Sequence, residues 1–198
     1  MDKSNKTKTK IETKEVIRCF GTGNELYENY HDTEWGIPVH DERLLFEMII
    51  LEGAHAGLSW LTILNKRETY KKAYDNFDVV KVSKYDEDKI QELLEDKGIV
   101  RHKLKVRTSV KNAQVFIAIQ KEFGSFDKYI WNYVNNKPIK NTYSIDNLMP
   151  SSNELSDRIS KDLKKRGMSF VGTTIMYAFL QAVGLLNDHL IECICNQK

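Results

Sequence analysis

The chain has 198 residues, 41% of them hydrophobic, so it is long and apolar enough to bury a core. Its 30 Lys and Arg residues nearly balance 28 Asp and Glu residues, which excludes a global basic field, and any binding of nucleic acid must come from local clusters. No apolar run reaches membrane-spanning length, and residues 1–15 lack the apolar core of a secretory signal. We therefore expect a cytoplasmic protein that does not enter membranes.

The N-terminal segment is rich in lysine, with five in the first 14 residues and little that could be buried. Residues 1–15 are therefore predicted to form a flexible tail, and residues 16–198 a single ordered domain. The three cysteines stand at positions 19, 193 and 195. An odd number is a poor disulfide framework in the cytoplasm, so metal ligation or inert burial is the better interpretation.

The first clear helix follows Asp41, which can cap its start, and Gly53 and Gly57 are expected to end it. Glu52 then lies at a helix C-terminus, where the helix dipole disfavours negative charge. This local conflict separates Glu52 from an ordinary surface carboxylate.

A second helix is predicted from Trp60 to about Tyr74, with Ser59 as its cap, and a third from about Asp86 to Asp96. After Gly98, a short apolar and basic stretch leads into a long helix. This is the outline of a helix-hairpin-helix, whose backbone N–H groups can bind a phosphate, although an ordinary helical corner would look similar. The candidate DNA-binding residues here are Gly98, Arg101, Lys103 and Lys105.

Residues 135–150 are predicted to be the one long loop, and Ser151-Ser152-Asn153-Glu154 is typical of a helix start. That helix ends in Lys164-Lys165-Arg166-Gly167, where Lys165 and Arg166 are equally suited to complement the helix dipole or to bind phosphate. A nearly all-apolar helix is predicted from Thr173 to Val183. Because we find no internal repeat and no credible set of strands, the chain is predicted to be mainly α-helical.

The stretch from Tyr27 to Trp60 concentrates aromatic side chains, histidines and one carboxylate among glycines. Flat rings beside a carboxylate suit recognition of a planar, cationic heterocycle by stacking and hydrogen bonding. The alternative is that Trp35 and Trp60 are core anchors, because buried aromatic residues need no ligand.

A metal site could join the two ends of the chain. His189 and Cys193 are four residues apart and would face the same way on a helix, which suits two ligands of one tetrahedral ion. Cys19 and His31 would complete a set of four, best matched by zinc, and four protein ligands leave no open position, so the ion would be structural. The open alternatives are Cys195 in place of Cys193, and His55 or His40 in place of His31.

Ten short segments combine these features: Arg18-Cys19, Tyr30-His31-Asp32, Glu34-Trp35-Gly36, Leu51-Glu52-Gly53, Ala56-Gly57-Leu58-Ser59-Trp60, Gly98-Ile99, Arg101-His102, Lys164-Lys165-Arg166-Gly167, Phe170-Val171-Gly172-Thr173-Thr174 and Asn187-Asp188-His189. Through them, residues 17–195 resemble the bacterial DNA-3-methyladenine glycosylase I family of the helix-hairpin-helix glycosylase superfamily. The resemblance implies an all-α, two-lobed helical bundle with a zinc ion clasping the termini through Cys19, His31, His189 and Cys193. The zinc-containing lobe would comprise approximately residues 16–45 and 150–195. The helix-hairpin-helix lobe would comprise approximately residues 46–135.

The resemblance also implies a function in base excision repair. Such an enzyme, expected to be a monomer, flips 3-methyladenine out of alkylated double-stranded DNA, hydrolyses its N-glycosidic bond and releases the free base, leaving an abasic site without cutting the strand. By resemblance, Glu52 and Tyr30 are catalytic and hydrogen-bond the base, Trp60 stacks on it, and Tyr27 and Trp35 line the pocket. One departure is Phe20-Gly21 after Cys19, where some members have a glycine and a nearby tryptophan.

Two further expectations concern the chemistry. Superfamily relatives use an aspartate after the hairpin, but after Gly98 none appears here until Asp127, so this chain is expected to lack it. Leu58 is predicted to be the apolar wedge that fills the gap left by the flipped base, or alternatively a core residue. The competing classes are a non-catalytic DNA-binding module, which leaves the pocket around Glu52 unexplained, and a zinc hydrolase, which requires an open coordination position.

Overall fold

The computed structural model describes residues 16–196, so the tail predicted for residues 1–15 lies outside the described residues. Within that range the chain forms ten α-helices and one pair of two-residue strands, which confirms the mainly α-helical prediction. The helices are α1 (Glu25–Thr33), α2 (Glu42–His55), α3 (Trp60–Leu64), α4 (Arg67–Ala73), α5 (Val79–Val82), α6 (Glu87–Glu95), α7 (Lys103–Phe123), α8 (Phe126–Asn132), α9 (Glu154–Arg166) and α10 (Thr173–Ala182).

Polar side chains cap these helices much as the sequence predicts. The Asp41 carboxylate accepts from the Leu44 backbone N–H at 2.8 Å, and Ser59 Oγ accepts from that of Thr62 at 3.2 Å. Asn153 caps α9 in a reciprocal arrangement with Ser156. Each cap satisfies a backbone donor that the first turn leaves unpaired.

The predicted end of α2 is wrong for Gly53, which lies inside the helix, because α2 continues to His55. It is confirmed for Gly57, which follows the C-cap residue Ala56 with a φ of +78°. A Cβ atom at position 53 would lie 3.4 Å from Phe170 Cβ, so the glycine allows the segment before α10 to pack closely on α2. Glu52 accordingly occupies the last turn of α2, as predicted.

The predicted helix over residues 60–74 is interrupted, since α3 ends at Leu64 and α4 begins at Arg67. The Asn65 side-chain amide and backbone N–H both donate to the Leu61 carbonyl oxygen, at 2.9 and 3.0 Å. The next backbone N–H, that of Lys66, donates to the Ile63 carbonyl oxygen at 2.9 Å, three residues back, so the α-helical ladder ends here. The long loop also contains a strand that the sequence did not reveal. Strand β1 (Ile139–Lys140) pairs in parallel with β2 (Leu186–Asn187) and holds the loop against the C-terminal segment.

The C-terminal segment is not helical, which corrects the basis on which His189 and Cys193 were paired. Its backbone N–H groups bond elsewhere: that of Ile191 donates to the Tyr143 carbonyl oxygen, and that of Ile194 to the Ile17 carbonyl oxygen. Contacts with distant segments therefore replace the helical ladder, and a single turn, closed by a hydrogen bond from the Cys193 N–H to the Leu190 carbonyl oxygen, brings Cys193 back toward His189.

The core is a continuous set of buried side chains to which α2, α7, α8 and α10 contribute, with the largest fully buried residues including Trp131, Phe46, Phe116 and Phe179. A second small cluster contains Leu190, Cys193 and Cys195. The division into two lobes stays a prediction. Among the described residues, none of the helices has the length and apolar character needed to cross a membrane.

Candidate functional site

The five residues predicted to contact a base line one cavity. Tyr27 and Tyr30 come from α1, Trp35 from the segment after it, Glu52 from the end of α2, and Trp60 from the start of α3. The remaining lining residues are Phe20, His55, Ala178 and Gln181. We call this the aromatic cavity.

The aromatic rings contact one another around the cavity. Tyr30 lies with its ring centroid 5.5 Å from that of Trp60, and Phe20 lies 4.8 Å from Tyr27 and 5.0 Å from Trp35. Phe20 thus forms a wall at the position where the sequence departs from the family pattern. Aromatic faces on several sides suit a flat ligand held by stacking.

Trp60 is 8% exposed, and its indole Nε1 is the one buried side-chain nitrogen or oxygen of residues 16–196 that has no hydrogen-bond partner. Buried polar groups are normally paired, so an orphaned donor in a cavity wall needs an explanation. This argues against the alternative that Trp60 is an inert core anchor, because the N–H group of a core tryptophan normally has a hydrogen-bond partner. Trp35, which also lines the cavity, is buried as well, and its ring packs edge-on at 4.6 Å against the ring of His189, a residue that does not line the cavity.

Trp35 is positioned by close backbone packing against the end of α10. The backbone N–H of Gly36 donates to the Gln181 carbonyl oxygen at 2.9 Å. At Gly184, which has a φ of +72°, a Cβ atom would lie 2.3 Å from the carbonyl carbon of Ile37. Only glycine permits this approach, which holds the segment carrying Trp35 beside α10.

Glu52 is a buried carboxylate, 3% exposed, whose Oε2 lies 3.2 Å from His55 Nδ1. Burial raises the pKa of Glu52, while the hydrogen bond and charge of His55 act in the opposite direction. A carboxylate placed among aromatic rings can accept hydrogen bonds from a base and attract a positive charge.

Lys105 was predicted to bind DNA, but its ammonium group points to the end of α2. It donates to the carbonyl oxygens of Ala54 at 2.8 Å and Ala56 at 2.6 Å, and burial lowers its pKa. These carbonyls belong to the last turn of the helix, where a cation is favourable. Lys105 therefore offsets the unfavourable dipole in the turn that carries Glu52.

The predicted hairpin connects α6 to α7. The Gly98 backbone N–H donates to Asp96 Oδ1 at 2.6 Å and is already paired within the protein. A Cβ atom at Gly98 would lie 2.9 Å from Thr69 Cβ, which explains the glycine by packing. The side chains of Arg101 and Lys103 are exposed and remain accessible to a phosphate.

The second basic patch is divided in the same way. Lys165 is exposed, whereas Arg166 donates to Asp162 Oδ2 at 2.7 Å and to Glu122 Oε2 at 2.6 Å. Gly167 ends α9 with a φ of +102°, as predicted.

Leu58, in the loop after α2, is 41% exposed, which argues against its alternative interpretation as a core residue.

The four predicted metal ligands meet near the cavity. The ligand atoms of Cys19, His31, His189 and Cys193, the Cys-His cluster, all lie within 4.8 Å of one another. Cys193 Sγ lies 3.4 Å from His31 Nε2 and 3.6 Å from His189 Nδ1. Cys195 Sγ instead lies 3.8 Å from Asp32 Oδ1.

The alternative histidines are excluded by their positions, because His40 Nδ1 contacts Asp127 at 2.7 Å and His55 contacts Glu52. The second ring nitrogens of the cluster histidines also have partners: His31 Nδ1 contacts Asp32 Oδ1 at 2.8 Å, and His189 Nε2 the Trp35 carbonyl oxygen at 3.2 Å. Such outer contacts orient metal-binding imidazoles.

The chemistry of the cluster suits a cation. Burial raises the pKa of the Cys19 thiol to about 12, and Cys193 beside it acts in the same direction, so a thiolate there needs a compensating positive charge. Two sulfur and two imidazole ligands form a donor set typical of a tetrahedral structural metal. These four residues could therefore hold a metal ion.

Comparison with known proteins gives consistent results. Residues 20–196 match the model of the methyladenine glycosylase family. The chain is 45% identical over 170 residues to DNA-3-methyladenine glycosylase 1 of Escherichia coli, covering 86% of this chain and 91% of that protein. It is 44% identical over 181 residues to DNA-3-methyladenine glycosylase of Haemophilus influenzae, covering 91% of this chain and 98% of that protein.

Solved structures agree with these sequence matches. A crystal structure of 3-methyladenine DNA glycosylase I superposes with a TM-score of 0.87 at 43% identity, covering 90% of this chain and 99% of that one. The enzyme of Staphylococcus aureus, solved to explain 3-methyladenine recognition, gives a TM-score of 0.87 at 39% identity, covering 90% of this chain and 95% of that one.

Proposed function

Because the chain belongs to the methyladenine glycosylase family, whose members hydrolyse N-glycosyl bonds, we propose that it excises 3-methyladenine from alkylated double-stranded DNA. It acts as a monomer in the cytoplasm, flips the damaged nucleotide out of the helix and releases the free base, leaving an abasic site. The observation that carries this proposal is the buried carboxylate of Glu52 in a cavity lined with aromatic rings.

Base recognition combines stacking with hydrogen bonds. Trp60 stacks on the flipped base, and Tyr27 and Trp35 close the cavity around it. Glu52 accepts from the exocyclic amine and offsets the positive charge that methylation places on the base. Burial raises the pKa of Tyr30 well above its ordinary value, so its phenol stays neutral and can donate to a ring nitrogen. Normal adenine, which lacks the charge, would gain less from this site.

The chemical step needs little from the protein because the charged base is already a good leaving group. As the N-glycosidic bond breaks, its electron pair stays on the base and neutralises the charge, and water captures the oxocarbenium-like sugar. Among residues 16–196 no aspartate lines the aromatic cavity, and Asp127, the first aspartate after the hairpin, lies on α8 and contacts His40. Lys105 does not suit a lyase mechanism, because the Ala54 and Ala56 carbonyls engage its amine.

DNA binding is assigned to exposed side chains in the loop after α2, in the hairpin and at the start of α7, and at the end of α9. Leu58 fills the gap in the base stack, and its exposure supports that role. Arg101, Lys103 and Lys165 contact phosphates, with Gly98 shaping the hairpin backbone. Lys105 and Arg166 contribute less to phosphate binding than the sequence suggests, because both are already paired within the protein.

The Cys-His cluster is proposed to hold one structural zinc ion through Cys19, His31, His189 and Cys193. The donor set, the burial and the outer hydrogen bonds support this assignment. When bound, zinc would supply folding energy and keep the terminal segments together. Four protein ligands leave no position for a reacting water, which argues against a zinc hydrolase.

Incubation of the protein with methylated duplex DNA, followed by chromatography of the released bases, tests the proposal. We expect 3-methyladenine to be released and the DNA strands to stay intact until the abasic sites are cleaved by alkali. DNA binding without release of a base would favour a non-catalytic DNA-binding module. Direct strand cleavage would contradict the monofunctional mechanism.

A further inference from the structure

The side chain of His55 lines the aromatic cavity, and the proposed mechanism gives it no role. Its Nδ1 lies 3.2 Å from Glu52 Oε2, and its ring packs edge-on against Trp60 with the centroids 5.4 Å apart. About one third of the side chain is exposed. His55 thus contacts both the Glu52 carboxylate and the ring of Trp60, which is proposed to stack on the ligand.

We propose that His55 is a positioning residue, which donates a hydrogen bond from Nδ1 to Glu52, keeps that carboxylate ionised and fixes its direction in the cavity. The inference deepens the proposed function, on which it rests for the identity of the ligand, a cationic purine. It adds a residue through which the charge of Glu52 is maintained.

The geometry of Glu52 creates the need for such a donor. A buried carboxylate is disfavoured in its charged form unless hydrogen bonds or opposite charges compensate for the lost water. Among the side-chain hydrogen bonds of residues 16–196, the contact from His55 is the one that reaches the Glu52 carboxylate. Burial alone would raise the pKa of Glu52 further, because His55 is the group that opposes it.

The other titratable groups around the pair do not replace His55. From α1, Tyr27 and Tyr30 have a pKa raised mainly by burial, so they stay neutral. From α7, the Lys105 ammonium donates to backbone carbonyls at the end of α2. Beyond Tyr30, the guanidinium of Arg67 is paired with Glu34 at 2.6 Å and with Glu47 at 2.6 Å.

Three variants separate positioning from simple structural support. His55→Ala removes the donor and leaves burial unopposed, so the acid limb of the pH profile for base release should move up by about one pH unit. At pH values on the acid side of the limb, His55→Ala should be about tenfold less active than the native protein, and at pH 8.5 the two should differ little. His55→Gln keeps a neutral donor and should bring the acid limb back toward its native position. The control is His40→Ala, which removes a histidine that contacts Asp127 outside the aromatic cavity and should leave the profile unchanged.

A second readout does not depend on catalysis. In protein labelled with 13C at glutamate carboxyl groups, the Glu52 signal, assigned by its absence in Glu52→Gln, should titrate at higher pH in His55→Ala than in the native protein. An unchanged midpoint, or an equal loss of activity at every pH, would overturn the inference. Failure of the native protein to release 3-methyladenine would overturn the proposed function instead, while the carboxyl titration would still decide the role of His55.

Discussion

The side-chain amide of Gln181 donates a hydrogen bond to the Asp188 carboxylate at 2.8 Å, and so joins a wall of the aromatic cavity to the residue that precedes His189. Asp188 is fully buried and also accepts from the Tyr177 hydroxyl at 2.5 Å and from the Asn141 amide at 2.7 Å. Because three donors fix one carboxylate, the cavity wall and the Cys-His cluster are held in a defined relation.

Replacement of Asp188 by Asn should disturb both sites. The new amide group would face three donors with only one acceptor oxygen, and each unsatisfied buried group costs about 1–3 kcal/mol. We expect a lower melting temperature and weaker binding of 3-methyladenine, measured by calorimetry. Asp146→Asn is the matched control, because Asp146 is exposed, and it should change neither quantity.

The charge of Glu52 should matter more than its shape. Glu52→Gln preserves the side-chain volume and one acceptor oxygen but removes the negative charge that faces a cationic base, and losing a charged hydrogen bond costs roughly 1.5–3 kcal/mol. Release of 3-methyladenine should therefore slow by about one to two orders of magnitude. The melting temperature should stay the same or rise, because the variant no longer buries a carboxylate. Normal activity in this variant on methylated DNA would falsify the assigned role.

The two neighbouring cysteines should differ in metal binding. Cys193→Ser removes a ligand of the Cys-His cluster and should lower both the zinc content and the melting temperature, since structural zinc contributes on the order of ten kcal/mol in small domains. Cys195→Ser should retain one zinc ion per chain, because Cys195 Sγ lies beside Asp32. Elemental analysis of both variants decides the matter, and a native protein without zinc would refute the assignment.

Leu58 should affect duplex DNA and not the fold. Because its side chain is exposed, Leu58→Ala should leave the melting temperature almost unchanged while slowing base release from duplex DNA. Binding of free 3-methyladenine should stay normal, since the cavity is intact. A loss of roughly 2–5 kcal/mol in the free energy of unfolding would instead identify a core residue.

Lys103 and Lys105 lie two residues apart in the first turn of α7 but should behave differently. Lys103→Met should reduce the salt dependence of DNA binding by about one unit of slope, as expected for one lost phosphate contact. Lys105→Met should leave that slope unchanged and lower the melting temperature, because the Ala54 and Ala56 carbonyl oxygens at the end of α2 lose their donor. Similar salt slopes in both variants would show that Lys105 also reaches DNA.

The residues of the aromatic cavity could be predicted from the sequence because the signals that place them are local. The five aromatic and acidic cavity residues lie in one stretch between Tyr27 and Trp60, where helix caps and apolar spacing set the elements that carry them. The pairing of His189 with Cys193 is predicted for the wrong reason, because a single turn from Leu190 to Cys193, and not a helix, brings them together. The spacing of four residues is compatible with both conformations.

Contacts between distant segments account for what the sequence does not reveal. Gln181 reaches the cavity from α10, more than a hundred residues beyond the aromatic stretch, and no local pattern marks it. The sequence shows the positive charge of Lys105, but not that its ammonium group turns to the carbonyls of α2. Such contacts depend on how the helices pack, which periodicity alone does not specify.

The separation of the cluster residues along the chain also bears on the order of assembly. His31 and Cys193 are 162 residues apart, and closing so long a loop costs entropy, which the packing of the helices between them offsets. During synthesis, Cys19 and His31 emerge long before their C-terminal partners and must wait for them. We therefore expect closure of the termini to be a late event in folding, and damage to the last turns of the chain to reduce the yield of native protein.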